Sequence, residues 1–349
     1  MRIMPFDGAT ERRGFLGLAG LAGAGLATLT APVALGAVQA EPTTQAPAVV
    51  SSPPTQRDIA ILRFLAAAEL VETDLWQQYA ELAHGNTRYR DALETIDDDL
   101  PVYAIDVTED ELSHAEFINA YLRSIGAEPV NLDNFHLIDS PPVTGLRQIR
   151  RLTNLTDLTV NTSYFRRYQS KRNPDFGAPF DQIATIRDQP AIPTSNSVGD
   201  RALAGIVRVA AFHFAWVEQG GTSLYDQFVP FISSREVLRI VSSIYATEAI
   251  HYAIFRDSLN GITAFQNGSK LVVPDLTEGR QGSSHVFPKR CKFLSEKFPT
   301  CSVIRPSSTD LAGAQAAAAA LTASNLFKGQ PPAFFQALTA LAKAADGVA

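Results

Sequence analysis

With 349 residues the chain can hold one large domain or two ordinary ones, and 46% hydrophobic and 19% charged residues fit a globular protein with a sizeable core. A formal net charge of −6 argues against nucleic acid as a partner, because neutralising phosphates needs a clustered excess of Lys and Arg. The basic run "RRYQSKR" at 166–172 is short, has mixed neighbours, and reads as a solvated loop.

In chain order, residues 1–40 come first and read as a targeting segment. Paired Arg12 and Arg13, Phe15-Leu16 two residues on, a Gly/Ala/Leu stretch and the small-residue exit Val38-Gln39-Ala40 have the layout of an export signal. The twin arginine resembles the twin-arginine class, with Glu11 where that motif usually has Ser or Thr. The resemblance implies the twin-arginine export machinery as a partner and a periplasmic or extracellular destination. It also favours a passenger that takes up its cofactor before export. An uncleaved N-terminal anchor is the competing reading. No later stretch has the ~20 uninterrupted apolar residues of a membrane span.

Residues 41–55, "EPTTQAPAVVSSPPT", form a linker. A helix is predicted from about 57 to 84, with Leu62, Leu65, Ala66, Trp76 and Ala80 at the spacing of one face and Gly85-Asn86 as its stop. A second runs from about 101 to 125 and stops at Gly126, and a third covers about 199–228. The fourth opens on Ser233-Ser-Arg-Glu236, a capping-box pattern, and continues to Gly261. Helices one and two lie close in sequence, as do three and four, and 126–198 separates the pairs. Two helical hairpins joined by one long crossover make an all-α four-helix bundle over 56–261. Residues 262–349 form a C-terminal extension, with helices at about 309–325 and 331–344 packed beside the bundle. The extension holds Cys291 and Cys301, the only cysteines, for which a disulfide is the simplest use in an oxidising compartment and two free buried thiols are the alternative.

Glu-x-x-His occurs three times, at Glu81/His84, Glu111/His114 and Glu248/His251. On a helix the two side chains lie about 60° apart on one face, so each pair can offer an oxygen and a nitrogen to one point. Glu81/His84 sits at the end of its helix, where a histidine interacts with the C-terminal dipole, and reads as structural. Thr108-Glu-Asp-Glu111 also matches a capping box, which would reduce Glu111 to a cap. The helix-compatible residues from Pro101 to Val107 argue for an earlier start that leaves Glu111 mid-helix. Glu248/His251 is flanked by Ile244, Tyr245, Tyr252 and Phe255 and reads as buried.

Helices one and three each add a glutamate among apolar residues, Glu69 and Glu218. Each is followed seven residues later by a large aromatic, Trp76 and Tyr225. Each hairpin therefore reads Glu, then Glu-x-x-His. Glu69, Glu111, His114, Glu218, Glu248 and His251 make the candidate metal set, with Glu72 as the rival to Glu69. Four carboxylates and two imidazoles suit two divalent transition metals, whereas four inward glutamates without metal would repel one another. His213, about 140° around its helix from Glu218, reads as a packed histidine. His136 and His285 lie in irregular segments, and Tyr121, Tyr225, Tyr245 and Tyr252 read mainly as packing.

The order Glu69, Asp110-Glu111-x-x-His114, Glu218, Glu248-x-x-His251 resembles the ferritin-like di-iron-carboxylate superfamily. The export signal, long crossover and C-terminal extension are similar to its exported desiccation-related and stress-induced proteins. The resemblance implies a ferritin-like fold, two iron or manganese ions, and oxidase, peroxidase or catalase-like chemistry on dioxygen, peroxide or a small-molecule substrate, with the crossover shaping the approach. Its rivals are a non-catalytic stress protein that uses the bundle structurally, with or without metal, and iron storage, which the crossover and extension obstruct. A homo-oligomer is compatible with either leading reading.

Overall fold

A computed structural model describes residues 52–167, 170–171, 180–277, 288–303 and 313–347. The expected export signal, most of the linker and His285 lie outside them. Helix α1, Gln56–Gly85, begins on a reciprocal cap: Thr55 accepts from the Asp58 backbone N–H and Asp58 accepts from that of Thr55. Asn86 ends α1 and caps α2, Thr87–Glu94, a short helix not foreseen from the sequence pattern. Helix α3 spans Leu100–Ser124 with Pro101 in its first turn. The rival cap at Thr108 does not form, and its hydroxyl donates to the Ala104 carbonyl one turn back.

The crossover follows, with strands β1 (Ile138–Asp139) and β2 (Arg150–Arg151) paired antiparallel, a one-turn helix α4 (Tyr164–Arg167) and strand β3 (Thr185–Ile186). Helix α5 spans Asp200–Phe228 and α6 spans Arg235–Ser258. The cap of α6 is Ser234, one residue later than the pattern suggested, because Ser233 is drawn to α1, donating from its backbone N–H and hydroxyl to Asp58. Strands β4 (Phe265–Asn267) and β5 (Leu271–Val273) follow, and the sheet order β3-β5-β4 ties the crossover to the segment after the bundle. Helices α7 (Gly313–Ala323) and α8 (Pro332–Ala345) close the described chain.

Helix α1 packs on α3 and α5 on α6, the two expected hairpins, while α8 lies on α1 and α7 on α5. Covered from outside as well as inside, α1 and α5 bury residues all round their circumference, as a helix with no solvent face must. Leu62, Leu65, Ala66, Trp76 and Ala80 all lie in this core, where full burial of a large apolar side chain stabilises by roughly 1.5–3 kcal/mol. The crossover is clamped to α1: Arg147 and Arg151 donate to Glu81, and the Thr153 backbone and hydroxyl donate to Asp74. Arg167, expected in a solvated basic loop, is buried and donates to Gln219 of α5.

Cys291 and Cys301 face each other across an antiparallel bridge, each backbone N–H donating to the other's carbonyl (2.9 and 3.0 Å). Both thiols are free, which departs from the expected disulfide. Among the described residues no helix is long and apolar enough to cross a membrane.

Candidate metal centre

All four bundle helices send side chains to one point between them. Glu69 comes from α1, Glu111 and His114 from α3, Glu218 from α5, and Glu248 and His251 from α6. Each is at most 9% exposed, and Glu111, Glu218 and Glu248 are fully buried. The structure thus brings together all six residues singled out from the sequence. Space for Glu248 comes from Gly221 on α5, where any added Cβ would collide with Glu248 Oε2.

The ligand atoms fall into two groups, each with its members within 4.8 Å of one another. One holds Glu69, Glu111, His114 and Glu248, and the other Glu111, Glu218, Glu248 and His251. Glu111 and Glu248 belong to both. Glu111 faces the two imidazoles with different oxygens, Oε2 at 3.2 Å from His114 Nδ1 and Oε1 at 3.1 Å from His251 Nδ1. Glu69 Oε2 is 3.4 Å from His114 Nδ1, and Glu218 Oε2 is 3.3 Å from His251 Nδ1. Both histidines therefore turn Nδ1 inward.

Burial without pairing tests whether these residues fit a cation. Glu69 Oε2, Glu111 Oε1, Glu218 Oε2, both oxygens of Glu248, and His251 Nδ1 are buried and complete no well-formed hydrogen bond; Glu69 Oε2, Glu111 Oε1 and Glu218 Oε2 face only imidazoles of the same set. Each such atom costs about 1–3 kcal/mol when left unsatisfied, more if charged. Their convergence is what a pair of divalent ions needs, with two shared carboxylates and one carboxylate and one imidazole for each ion.

The electrostatics agree. Burial and the Coulombic repulsion of Glu69 and Glu218 push Glu111 up to about 8, and burial with the repulsion of Glu111 and Glu72 pushes Glu248 well above the carboxylate range. For His114, burial opposes the charged form, yet hydrogen bonding to Glu111 and Glu69 prevails and raises it to about 10. His251 is likewise raised to about 12, against burial, by Asp110, Glu111 and Glu218. These shifts share one cause, the convergence of buried carboxyls on two imidazoles, and a cation among them would offset the repulsion.

Further contacts orient the set. Trp76 Nε1, on α1, donates to Glu218 Oε1 on α5 at 2.8 Å, and the Tyr225 hydroxyl, on α5, donates to Glu69 on α1. The two aromatics noted for their spacing thus serve each other's glutamate, crosswise. Asp110, which the sequence offered only as part of the resemblance, holds His251 Nε2 at 3.0 Å, leaving Nδ1 for the centre. Its side chain is half exposed, so the α3–α6 face opens toward solvent. Thr247, the equivalent position before Glu248, instead donates back to the Ser243 carbonyl on its own helix, so the twofold-like repeat is broken here.

Glu72 is in neither group. Its carboxyl borders Gly221, as Glu248 does, and is pushed well up by burial and by the charges of Glu111 and Glu69. His213 pairs through Nδ1 with the Tyr79 hydroxyl (2.9 Å) in the core, away from the centre. His136 approaches Asp74 at the crossover clamp, and His84 is exposed in the last turn of α1. Of the tyrosines, Tyr225 touches a member of the set, whereas Tyr121 donates to Glu236 at the surface and Tyr252 packs on Tyr164.

Comparison with curated proteins and with solved structures finds no match. Against known families, residues 57–261 match one described as a ferritin-like domain, a stretch that holds all four bundle helices and every residue of the centre. The chain belongs to the ferritin-like domain family.

Proposed function

We propose that this chain binds two ions of iron or manganese at the bundle centre and uses them for redox chemistry on dioxygen or peroxide. The observation that carries the reading is the division of six buried side chains into two four-residue groups sharing Glu111 and Glu248. When bound in such an oxygen-rich donor set, these metals supply one-electron and oxygen chemistry. The chain's own part is orientation and exclusion of water. Glu69 and His114 would serve one ion and Glu218 and His251 the other, with Tyr225, Trp76 and Asp110 fixing Glu69, Glu218 and His251 through hydrogen bonds. Burial of the carboxylates keeps bulk water from the centre, and the half-exposed Asp110 marks an approach for a small oxidant.

The reading extends to a role in stress protection after twin-arginine-type export to the periplasm or beyond, among the desiccation-related ferritin-like proteins. These parts rest on the sequence of residues 1–40 and on the chain layout. A second reading, in which metal serves stability alone, draws support from the burial of the centre: Glu111, Glu218 and Glu248 have no exposed surface for substrate to touch.

Metal analysis of the purified protein is the first test. About two iron or manganese atoms per chain, lost in Glu248→Ala together with the metal-dependent rise in melting temperature, is the expected result. Protein that takes up neither metal, with a melting temperature indifferent to added metal, overturns the proposal. Peroxide disproportionation or oxygen consumption by the loaded protein supports the redox role, and bound metal without either supports the stabilising one.

A further inference from the structure

On the side of the bundle away from Asp110, a cavity of about 270 Å³ lies between α1, α5 and α7. Small residues on all three helices leave this room: Ala67 and Ala68, Gly220 and Gly221, Ala317 and Ala320. At Gly220 an added Cβ would meet nothing within 4 Å. Gly221 borders the cavity while lying against Glu248, and Glu72 reaches the same wall. The cavity therefore ends one residue away from the metal centre. Phe64, Val71, Trp216, Leu224 and Leu321 supply its apolar surface.

Polar groups sit at two places with opposite character. Toward the centre is Glu72, whose carboxyl is already pushed up by burial and by the charges of Glu111, Glu69 and Glu218, so an anion placed beside it would meet the same repulsion. Elsewhere the crossover contributes Arg167 and the exposed Asn161, and α5 contributes Gln219. The Asn161 side-chain oxygen is already engaged, accepting from Ser163 (3.0 Å) and Gln182 (2.8 Å), which leaves its amide N–H groups as donors. A cavity of about 150 Å³ accommodates benzene, so 270 Å³ suits on the order of a dozen non-hydrogen atoms.

We propose that this cavity binds an uncharged, mainly apolar molecule of that size with one hydrogen-bond-accepting oxygen, such as a medium-chain alcohol or aldehyde. The oxygen lies at Asn161 and Arg167, and the apolar body runs between Ala67, Leu224 and Ala317. The alanine-rich α7 of the C-terminal extension thereby forms the outer wall of a binding site. Binding is a property of the cavity alone and holds with or without metal.

The test uses 8-bromooctan-1-ol and the fluorescence of Trp216, which borders the cavity, whereas Trp76 is stacked on Phe255 with its indole N–H on Glu218. Bromine quenches an indole over several ångströms, so a bromoalkanol held in the cavity that Trp216 borders is expected to cause a saturable loss of emission. Gly220→Leu fills the cavity from a position with free space and exchanges a helix glycine for a better helix former. It is expected to weaken binding at least tenfold with no fall in melting temperature. Ala317→Leu, from the opposite wall, is expected to do the same. Absence of saturable quenching, or equal affinity in wild type and both variants, overturns the proposal. Equal binding of 8-bromooctanoate overturns the assignment of an uncharged ligand. These results are read without metal, so failure here and failure of the metal reading are distinguishable.

Discussion

Burying an imidazole has a consequence that can be read against pH. His213 has no exposed surface, and burial lowers its pKa to about 3 from an ordinary 6.5, so it is neutral in the fold at pH 7, paired with the Tyr79 hydroxyl through Nδ1. Above pH 6.5 neither folded nor unfolded chain binds this proton, and the residue adds no pH dependence. Between 6.5 and 3 the unfolded chain binds it and the folded chain does not, so stability falls as pH falls, by up to about 1.4 kcal/mol per pH unit. Replacing His213 by Gln keeps a group that can donate to or accept from Tyr79 and removes the titration. Urea unfolding at pH 7, 6, 5 and 4 should show similar stability at pH 7 and a shallower acid decline in the variant. Parallel curves would mean that His213 is protonated inside the fold.

At the scale of elements, the four-helix pattern was legible because each bundle helix is long, strongly periodic and cleanly stopped. The site was legible for a related reason: Glu-x-x-His and a lone glutamate in an apolar run are polar groups where a core helix tolerates none without partners. The short α2 and the cap position of α6 were not, because α2 has few apolar residues and Ser233 is claimed by Asp58 on another helix. The crosswise contacts of Trp76 and Tyr225 were visible only as matched spacings, since a sequence does not say which helix a side chain reaches across to. Their partners now allow a prediction. Tyr225 supports Glu69, in the group with His114, and Trp76 supports Glu218, in the group with His251. Loss of such an outer contact weakens metal binding by roughly 10–100-fold. Tyr225→Phe should therefore weaken one ion and Trp76→Phe the other, each leaving a single tight ion per chain in a competitive chelator titration. Equal weakening of both ions by either substitution would dissolve the division into two groups.

For the whole molecule, the question is how a long irregular crossover holds its place against the bundle. Glu81 of α1, set aside in the sequence as structural despite its Glu-x-x-His spacing, supplies an answer. It accepts from Arg147 Nε and Arg151 Nη2, both at 2.5 Å, and Arg151 is only 1% exposed. Removing one partner of a buried pair strands the other, at a cost of about 3–5 kcal/mol. Asp200, whose pair with Arg88 at 2.7 Å is largely exposed, is the matched control, worth less than about 1 kcal/mol. Glu81→Gln should thus lower unfolding stability severalfold more than Asp200→Asn, and limited proteolysis should reveal new cleavage within 126–198. The metal set belongs wholly to α1, α3, α5 and α6, while the crossover lends the cavity Asn161 and Arg167. Metal content in Glu81→Gln should therefore match that of the wild type wherever the protein is folded, while quenching of Trp216 by 8-bromooctan-1-ol weakens. A parallel loss of both would show that the clamp orders the metal centre as well as the cavity, and that the two sites fold as one unit.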